Sequence, residues 1–424
     1  MNIWLIKIGE PLPIDPGSQR LLRIGLLSEE LSQRDHQITY WTSTINWRSK
    51  KNRFQENTWV DVKPNYRLRL AFAPEFTRSL SIGRVRHNQI LNKQLEKDLE
   101  EQPRPDVIFC CYPTIETALT SVRFGKKHGI PVVLDIRDLW PDVIRLRFSG
   151  VKKAIFSPIF SLWERQAREA LGGATAITGI TDEMVDWAVR LAGRVRRPMD
   201  RQFSFGFPNP NLTPEELEAG AKKLSEVGMD ENPDLFTACY LGQLTGTVEF
   251  ETVVAAFKQL HEEGAPFRLC VCGAGDHEDQ FRAMAQGVPN ITFGGWVGKA
   301  EAWLLMQRSQ VGMFCYHSTF DYESNIPNKI PEYLAASLPI LSSIEKGVPK
   351  SFLESKGCGF TYQNGQPETL VAHLKRLHSD RAALKQASDN AYNIFDKQFR
   401  AEVVYSNMAN YVEEIAKQGA KAAR

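Results

Sequence analysis

The chain has 424 residues, of which 42% are apolar and 24% are charged. This composition excludes intrinsic disorder and collagen-like structure, and the length is typical of two or three domains. The 52 Lys and Arg residues against 50 Asp and Glu residues leave a formal net charge of +2, which excludes a global positive field for nucleic acid.

Short apolar runs alternate with helical patterns through most of the chain, which is typical of α/β domains with parallel sheets. The first half predicts five strands, at residues 3–8, 38–42, 106–111, 131–136 and 174–178. Amphipathic helices are predicted among them, at residues 18–34, 85–102 and 115–129.

A second series of five strands follows, at residues 237–242, 267–273, 291–293, 311–316 and 339–343. The segment between the two series, residues 194–214, is rich in proline and has little periodicity, which indicates an interdomain linker. A long amphipathic helix without a following strand is predicted at 402–418. We therefore expect one domain over 1–207, a second over 208–395, and a terminal helix within 396–424 that packs back on the first.

The cysteines and the apolar stretches bear on the cellular compartment. Six of the seven cysteines lie in predicted strands, which favours reduced, buried thiols. Cys270 and Cys272 share one strand face, but no second pair at ligand spacing accompanies them, so a zinc site is not expected. Because no apolar stretch approaches the roughly 20 residues of a bilayer span and no signal-peptide pattern opens the chain, we expect a cytosolic protein.

The most informative segment is 315–343, which predicts a strand end, a polar loop and a short helix. Asn328 is a predicted N-cap, and the free N–H groups of the loop and first turn suit a phosphate. Lys329 adds a cation, and Glu332 suits hydrogen bonds from sugar hydroxyls. The alternative is that Glu332 only complements the helix dipole and Lys329 only solvates a turn.

Three more strand ends of the second series carry glycine-containing loops. Gly242 follows the first strand, Gly273 and Gly275 follow the second, and Trp296 and Val297 lie in the loop after the third. Glycine allows the backbone to pass close to a ligand, although a tight turn requires it equally.

Two loops of the first domain carry candidate polar groups. Gly17, Ser18 and Arg20 precede the first helix, where backbone N–H groups and a guanidinium suit an anion. Arg137 and Asp138 leave the fourth strand at its carboxyl end. A purely structural cluster of ion pairs around these residues is an equally weighted interpretation.

Residues 123–153 contain eight Lys and Arg against three Asp, a local net charge of +5. The next segment, 154–171, places Ile155, Phe156, Ile159, Phe160 and Trp163 on one predicted helical stripe. With the basic residues of 47–53, these features suit an anionic membrane surface, although a core-facing stripe is the more common meaning of such a pattern.

Three segments carry a family resemblance: IGEPLPIDPGSQRLLRIGLLSEEL at 8–31, VVLDIRDLWPDV at 132–143 and SNIPNKIPEYLAASLPIL at 324–341. In these segments and their order, the chain resembles the retaining family 4 glycosyltransferases, especially bacterial enzymes of surface polysaccharide assembly such as O-antigen, capsule and exopolysaccharide. The resemblance implies a GT-B fold, that is, two tandem Rossmann-like doubly wound domains facing an interdomain cleft. The first would bind the acceptor and the second the donor.

The resemblance also implies roles for individual residues. Glu332 matches the second glutamate of the family's E-x7-E motif and would hold the donor ribose. The first glutamate falls at Ser324, and the Arg and Lys that commonly hold the diphosphate are replaced by Gln243 and Val248.

The replacement cations and donors would then come from elsewhere in the chain. Lys329, the N–H groups near Asn325 and Ile326, and Arg20 are the expected substitutes at the diphosphate. The candidate catalytic residues are Glu332, Asp138 and Arg137. The candidate donor-binding residues are Gly242, Gln243, Gly273, Gly275, Trp296, Val297, Ser324, Asn325, Ile326, Asn328 and Lys329. The candidates on the acceptor and phosphate side are Gly17, Ser18 and Arg20.

The implied reaction moves a sugar from a UDP or GDP donor to a hydroxyl of a lipid-linked or oligosaccharide acceptor, with retention of anomeric configuration. No metal or other cofactor is expected. Two alternatives stay open, namely a sugar-nucleotide epimerase of the same architecture and a non-catalytic partner protein, the latter suggested by Ser324, Gln243 and Val248.

Overall fold

The computed structural model describes residues 1–16, 20–46, 49–76 and 82–422. The chain forms two compact units, the first made of residues 1–204 together with the chain from Val404 onward, and the second of residues 205–403.

The first unit is built on an eight-stranded sheet with the strand order β10-β9-β8-β7-β1-β2-β6-β5. Its pairs are parallel except β5 with β6, and β3 and β4 form a separate antiparallel pair. The strands are β1 (Asn2–Ile6), β2 (Gln37–Ser43), β3 (Ile45–Asn46), β4 (Lys51–Asn52), β5 (Thr58–Lys63), β6 (Tyr66–Ala71), β7 (Val107–Tyr112), β8 (Val132–Ile136), β9 (Ala176–Gly179) and β10 (Arg201–Gln202). The helices are α1 (Arg23–Gln33), α2 (Ile82–Glu101), α3 (Ile115–His128), α4 (Asp142–Leu146), α5 (Gly150–Gly173) and α6 (Asp182–Leu191).

The hairpin of β5 and β6 is absent from the strands that the sequence predicts. Its arginines depart from an apolar strand pattern, and each finds a partner only in the folded unit. The side chain of Arg69 is buried and donates to Asp98 of α2 at 2.7 Å, whereas Arg67 lies 4.4 Å from the ring centroid of Trp59. Tertiary contacts therefore make these charged positions compatible with a sheet.

The predicted linker at 194–214 is wrong for its first half. Arg201–Gln202 forms the edge strand β10, which pairs with β9. Before it, the buried carboxylate of Asp200 accepts from Arg194 at 2.6 Å and from the Ile177 amide at 2.8 Å. The segment up to Ser204 thus belongs to the first unit because its polar groups are satisfied there.

The second unit has a six-stranded parallel sheet with the order β13-β12-β11-β14-β15-β16. Its strands are β11 (Phe236–Leu241), β12 (Phe267–Cys272), β13 (Ile291–Gly295), β14 (Val311–Phe314), β15 (Ile340–Ser342) and β16 (Gly359–Thr361). Its helices are α7 (Pro214–Glu226), α8 (Glu251–Glu262), α9 (Glu278–Met284), α10 (Lys299–Gln307), α11 (Phe320–Glu323), α12 (Lys329–Ala335), α13 (Gly347–Ser355), α14 (Pro367–Ser379) and α15 (Arg381–Ile394). All seven cysteines of the chain are buried and free.

The last helix, α16 (Ala401–Ala422), follows a π-helical turn at Phe395–Phe399 and packs on the first unit. The Tyr411 hydroxyl donates to the Met199 carbonyl at 2.7 Å, and Glu413 pairs with Arg34 at 3.1 Å. Within the described ranges, no helix is long and apolar enough to cross a membrane.

A fully buried ion pair fixes the centre of the first unit. Arg23 of α1 donates two hydrogen bonds to Asp135 of β8, at 2.8 and 2.9 Å, and two more at 2.8 Å to the carbonyls of Phe203 and Ser204. Thr178 of β9 also donates to Asp135. Although burial alone would raise the pKa of Asp135, the charge and hydrogen bonds of Arg23 lower it.

We expect Asp135→Asn to lower the free energy of unfolding by about 3 kcal/mol, because it leaves the Arg23 charge buried without its counterion. Urea denaturation measures this change. Since the pKa of Asp135 is lower in the folded state, the stabilisation is complete at pH values above the unfolded carboxyl pKa of about 4 and is lost as the pH falls through the folded value.

The matched control is Asp389→Asn, which removes the same charge from the exposed pair with Lys385. We expect it to cost less than about 0.5 kcal/mol. Equal losses in the two variants would contradict a central role for the buried pair.

Candidate functional site

The second unit has a topological switch point between β11 and β14. From β11, the connections lead outward through β12 and β13 on one side and through β14, β15 and β16 on the other. In sheets of this kind ligands bind outside the strand carboxyl ends where the order reverses. The loops after β11 and β14 therefore frame the candidate site.

Tyr333 of α12 holds the two strands at this point. β11 and β14 pair only at Ala238 with Val311 and at Cys239 with Gly312. Beyond these pairs, the buried Tyr333 hydroxyl accepts from the Leu241 amide at 3.0 Å and donates towards the Met313 carbonyl at 3.2 Å. Burial raises the pKa of Tyr333 well above its usual value, so the hydroxyl stays protonated.

The ring of Tyr333 also explains why position 312 is a glycine. A Cβ on Gly312 would lie 2.6 Å from the ring of Tyr333, which is closer than real Cβ contacts. The α12 helix thus packs directly on the backbone of β14. This packing fixes the position of the helix residue just before Tyr333, which is Glu332.

Lys329 and Glu332 form an ion pair on α12. The Lys329 Nζ lies 2.5 Å from Glu332 Oε2, and Glu332 is only 8% exposed, whereas the lysine side chain is more accessible. Asn328 occupies the predicted N-cap position of α12, but its backbone angles are helical and its side chain makes no capping hydrogen bond. The pair gives the site one carboxylate and one ammonium group, and the ammonium carries three N–H donors.

The loop after β14 is held at both ends. Its start bonds to the loop after β11, with the His317 amide donating to Thr247 at 2.9 Å. Near its end, Glu323 accepts from the Ser318 hydroxyl at 2.9 Å and faces Lys346 at 3.5 Å. Glu323 therefore already has partners, and it lies one position before Ser324, where the resemblance led us to expect a glutamate.

The next three residues lie between this loop and α12. Ser324 and Ile326 are buried. The Asn325 Oδ1 atom is shielded from solvent and has no hydrogen-bond partner in the part of the chain that the structure describes. An acceptor oxygen that lacks a partner inside the fold is suited to a donor from a bound molecule.

The glycine loops after β11 and β12 pack on one another. A Cβ on Gly273, whose φ is +153°, would lie 1.7 Å from the Gly242 carbonyl oxygen, and a Cβ on Gly275 would lie 2.0 Å from that of Leu244. Both glycines are thus required by the approach of neighbouring backbone, whether or not a ligand binds. This contact supports the alternative that the fold of these turns requires the two glycines.

The other donor-side candidates differ in exposure. Gln243 and Trp296 are exposed, and Trp296 is 62% accessible. Val297 is partly buried and packs against the core of the unit. Val248 is buried, and its backbone forms an isolated β-bridge with Tyr316, so a cation that replaced its side chain would be shielded from water.

In the first unit the predicted Arg137 is not a free cation. It donates to Glu10 at 2.9 Å, and the Glu10 carboxylate also accepts from the Ile24 amide at 3.0 Å. Burial alone would lower the pKa of Arg137, but the Glu10 charge raises it. The pair ties the loop after β1 to the end of β8 and the start of α1.

Asp138 accepts from two groups of its own loop. Its Oδ1 accepts from the Leu139 amide at 2.8 Å, and its Oδ2 accepts from the Trp140 indole at 3.0 Å. Arg20 is partly buried. Gly17 and Ser18 lie outside the described residues, so the predicted anion loop stays a prediction.

Comparisons with known proteins assign both units. Residues 22–200 match the model of the glycosyl transferase 4-like domain, and residues 226–394 match the model of the glycosyl transferases group 1. The chain is built from two glycosyltransferase domains.

Individual relatives agree with this assignment. The chain is 23% identical over 180 residues to the amylovoran biosynthesis glycosyltransferase AmsK of Erwinia amylovora, a match that covers 42% of this chain and 44% of AmsK. Among solved structures, it is similar to sucrose-phosphate synthase from Thermosynechococcus elongatus, with a TM-score of 0.71, 15% identity and 98% of each chain covered. It is also similar to Anabaena HepE in complex with UDP and glucose, with a TM-score of 0.65, 13% identity and coverage of 98% of this chain and 100% of HepE. The fold of the two glycosyltransferase domains is therefore GT-B, as predicted.

Sequence reasoning missed two residues that organise these glycosyltransferase domains, Tyr333 and Glu10. Tyr333 follows Glu332 directly and reads as an ordinary helical aromatic. Glu10 lies in a loop that the sequence marks only by its prolines and glycines. The buried position of each depends on contacts distant in sequence, to Leu241 and to Arg137 respectively.

We expect Tyr333→Phe to destabilise the second unit by about 1–3 kcal/mol, because the buried Leu241 amide loses its acceptor. Chemical denaturation of the full chain measures the loss. Tyr392→Phe, which removes an exposed hydroxyl from the same unit, is the control and should change stability by less than about 0.5 kcal/mol. An unchanged Tyr333→Phe protein would show that the hydroxyl does not hold the strands.

Proposed function

We propose that this protein is a retaining glycosyltransferase that uses a nucleotide-diphosphate sugar, with UDP or GDP as the nucleotide. The observation that carries the proposal is the Lys329–Glu332 pair at the switch point of a unit that matches the group 1 model. The Anabaena HepE structure that resembles this chain was solved with UDP and glucose, which makes UDP the first nucleotide to test.

In this proposal Glu332 accepts hydrogen bonds from the ribose hydroxyls of the donor. A carboxylate is suited to this role because its two oxygens offer several acceptor positions, of which the hydrogen bond from Lys329 occupies one. The Lys329 ammonium, which keeps two further donors, binds the diphosphate together with loop N–H groups near Asn325 and Ile326. Gln243, which stands where relatives commonly carry an arginine, contributes at most a neutral contact there.

The proposed transfer needs few side chains. The bond between the anomeric carbon and the diphosphate oxygen breaks, and the acceptor oxygen bonds to that carbon on the same face. The acceptor proton passes to a phosphate oxygen of the departing nucleoside diphosphate. Stabilisation of the developing diphosphate charge and orientation of the acceptor then supply the rate, and no metal is required.

For the acceptor we propose a hydroxyl of a lipid-linked or oligosaccharide substrate in bacterial surface polysaccharide synthesis. The support is the likeness to AmsK, which is named for amylovoran biosynthesis. Arg137, Asp138 and Arg20 are the proposed acceptor-side residues. The epimerase and the non-catalytic partner are not favoured, because both family models are of glycosyltransferases.

Glu332→Gln should weaken binding of UDP or GDP by at least about tenfold, because an ionised acceptor of ribose hydroxyls becomes neutral. Titration calorimetry of the full chain with each nucleotide measures binding. Release of nucleoside diphosphate from UDP- and GDP-sugars, with and without a bacterial lipid extract, measures transfer. Lys329→Met should lower both quantities.

Asp389→Asn, on the exposed face of α15, is the control and should bind and transfer as the unchanged protein does. Full binding and transfer by both Glu332→Gln and Lys329→Met would overturn the site assignment. Conversion of the donor sugar without any acceptor would instead identify an epimerase, and no binding of either nucleotide would favour the non-catalytic partner.

A further inference from the structure

The first three turns of α5 expose a continuous apolar stripe. Val151, Ile155, Ile159 and Leu162 follow one another at helical spacings of four, four and three residues, so they share one side of the helix. They are 77%, 66%, 43% and 43% exposed. We call these four residues the outward stripe.

The same helix has a second apolar side that packs on the unit. Phe160 is buried and lies 5.5 Å from Phe148, measured between ring centroids, while Ala167 and Leu171 continue the buried side. The predicted single stripe therefore divides, with Phe160 facing inward and Ile155 and Ile159 outward. Because the inward side of α5 makes the contacts with the core of the unit, the outward stripe has no role in that core.

The outward stripe ends at Leu162, after which the same side of α5 carries polar residues. Beyond Leu162, its line along the helix continues through Arg165, Gln166 and Glu169. A surface helix normally carries polar residues of this kind along its whole outer side. The apolar character is thus confined to the first half of α5, and exposed Leu146 of α4 lies just before it in the chain.

Positively charged residues lie close to the outward stripe in the chain. From Val143 to Trp163 the chain carries Arg145, Arg147, Lys152 and Lys153 and no acidic residue. Arg145 has weak pairs with Asp142 and Glu164 at 3.9 and 3.8 Å. In the ranges that the structure covers, the other three cations make no ion pair.

Three of the other four cations in residues 123–153 have carboxylate partners of their own. Arg123 pairs with Glu169 at 2.6 Å, Lys127 pairs with Glu100 at 2.8 Å, and Arg137 is buried against Glu10. In the segment 47–53, Arg53 pairs with Asp15 and Lys51 with Glu75, and residues 47 and 48 are outside the described ranges. Within the predicted +5 segment, the cations closest in sequence to the outward stripe are therefore the four that lie in α5 or just before it, Arg145, Arg147, Lys152 and Lys153.

The position of the lysines argues against a role in helix stability. Lys152 and Lys153 lie in the first turn of α5, where the helix dipole disfavours positive charge, and this turn has no acidic residue. A charge that the helix itself disfavours is better explained by an external anion.

We infer that the outward stripe of α5, with its flanking cations, docks the protein on an anionic lipid bilayer. Exposed apolar side chains with cations at one end of the helix match the boundary between acyl chains and acidic headgroups. A second copy of the chain fits less well, because a twofold contact through this stripe would bring the four cations of each copy together.

Docking here also places the acceptor-side loop near the membrane. Trp140, two residues after Asp138, stacks on Trp163 of α5 with ring centroids 6.3 Å apart. The loop after β8 is therefore in direct contact with the docking helix. With this loop near the membrane, a lipid-linked acceptor would have a short path to Asp138. This consequence rests on the proposed function, whereas membrane binding itself is independent of it.

Flotation of the full chain with vesicles tests the inference. We expect binding to vesicles of phosphatidylcholine with 30% phosphatidylglycerol, weaker binding in high salt, and little binding to pure phosphatidylcholine. Ile155→Ser combined with Ile159→Ser should lower the partition coefficient at least about tenfold. Lys152→Gln combined with Lys153→Gln should lower it roughly 30-fold.

Two controls keep the test specific. Val195→Ser removes a still more exposed apolar side chain elsewhere in the first unit and should float as the unchanged protein does. Nucleotide binding by calorimetry should stay unchanged in both double variants, so that failure of membrane docking is distinct from failure of the donor site.

The inference is overturned if the unchanged protein does not float with anionic vesicles at low salt, or if both double variants float as it does. Sedimentation gives a third decisive outcome. A dimer of the unchanged protein that Ile155→Ser with Ile159→Ser dissociates would assign the outward stripe to a second copy instead.

Discussion

The hydroxyl of Tyr333 is the contact on which the candidate site depends. The strands β11 and β14 separate after two paired residues. Because of this separation, the Leu241 amide and the Met313 carbonyl do not form a hydrogen bond with each other. Tyr333 satisfies both groups from the helix side. A buried amide without an acceptor would cost about 1–3 kcal/mol, so α12 is held at the place where the sheet opens. The carboxylate and ammonium of Glu332 and Lys329 are fixed there as a consequence.

In the first unit, buried ion pairs hold segments that are distant in sequence together. Its strand ends carry Arg137 and its core carries Asp135, and each has a buried partner from the chain's first 23 residues. Buried pairs of this kind need complete hydrogen bonding, and Arg23 meets that need with two carboxylate and two carbonyl contacts. The region after β1 is therefore tied to β8, which positions Asp138 and the start of α4.

Much of the architecture could be predicted because its pattern is local. Apolar runs of the right length predicted β7, β8, β11 and β12, and amphipathic spacing predicted α3 and α16. The hairpin of β5 and β6 could not be predicted in the same way, since Arg67 and Arg69 depend on Trp59 and Asp98 for their partners. The linker prediction was wrong up to Ser204 for the same reason, because Asp200 and Arg201 also gain partners that are distant in sequence, Ile177 and Glu414 respectively.

In the candidate site, too, some features follow from local sequence and others from tertiary contacts. The sequence by itself determined the residue types at the switch point and their order, including Lys329 and Glu332 and the glycines at the strand ends, because these follow from motif spacing. Only the tertiary structure decided that Gly273 and Gly275 accommodate neighbouring backbone, that Arg137 is committed to Glu10, and that α5 is apolar on two opposite sides. Spacing along a helix or strand shows which residues share a face. Which face is covered, and by what, depends on segments far apart in the chain.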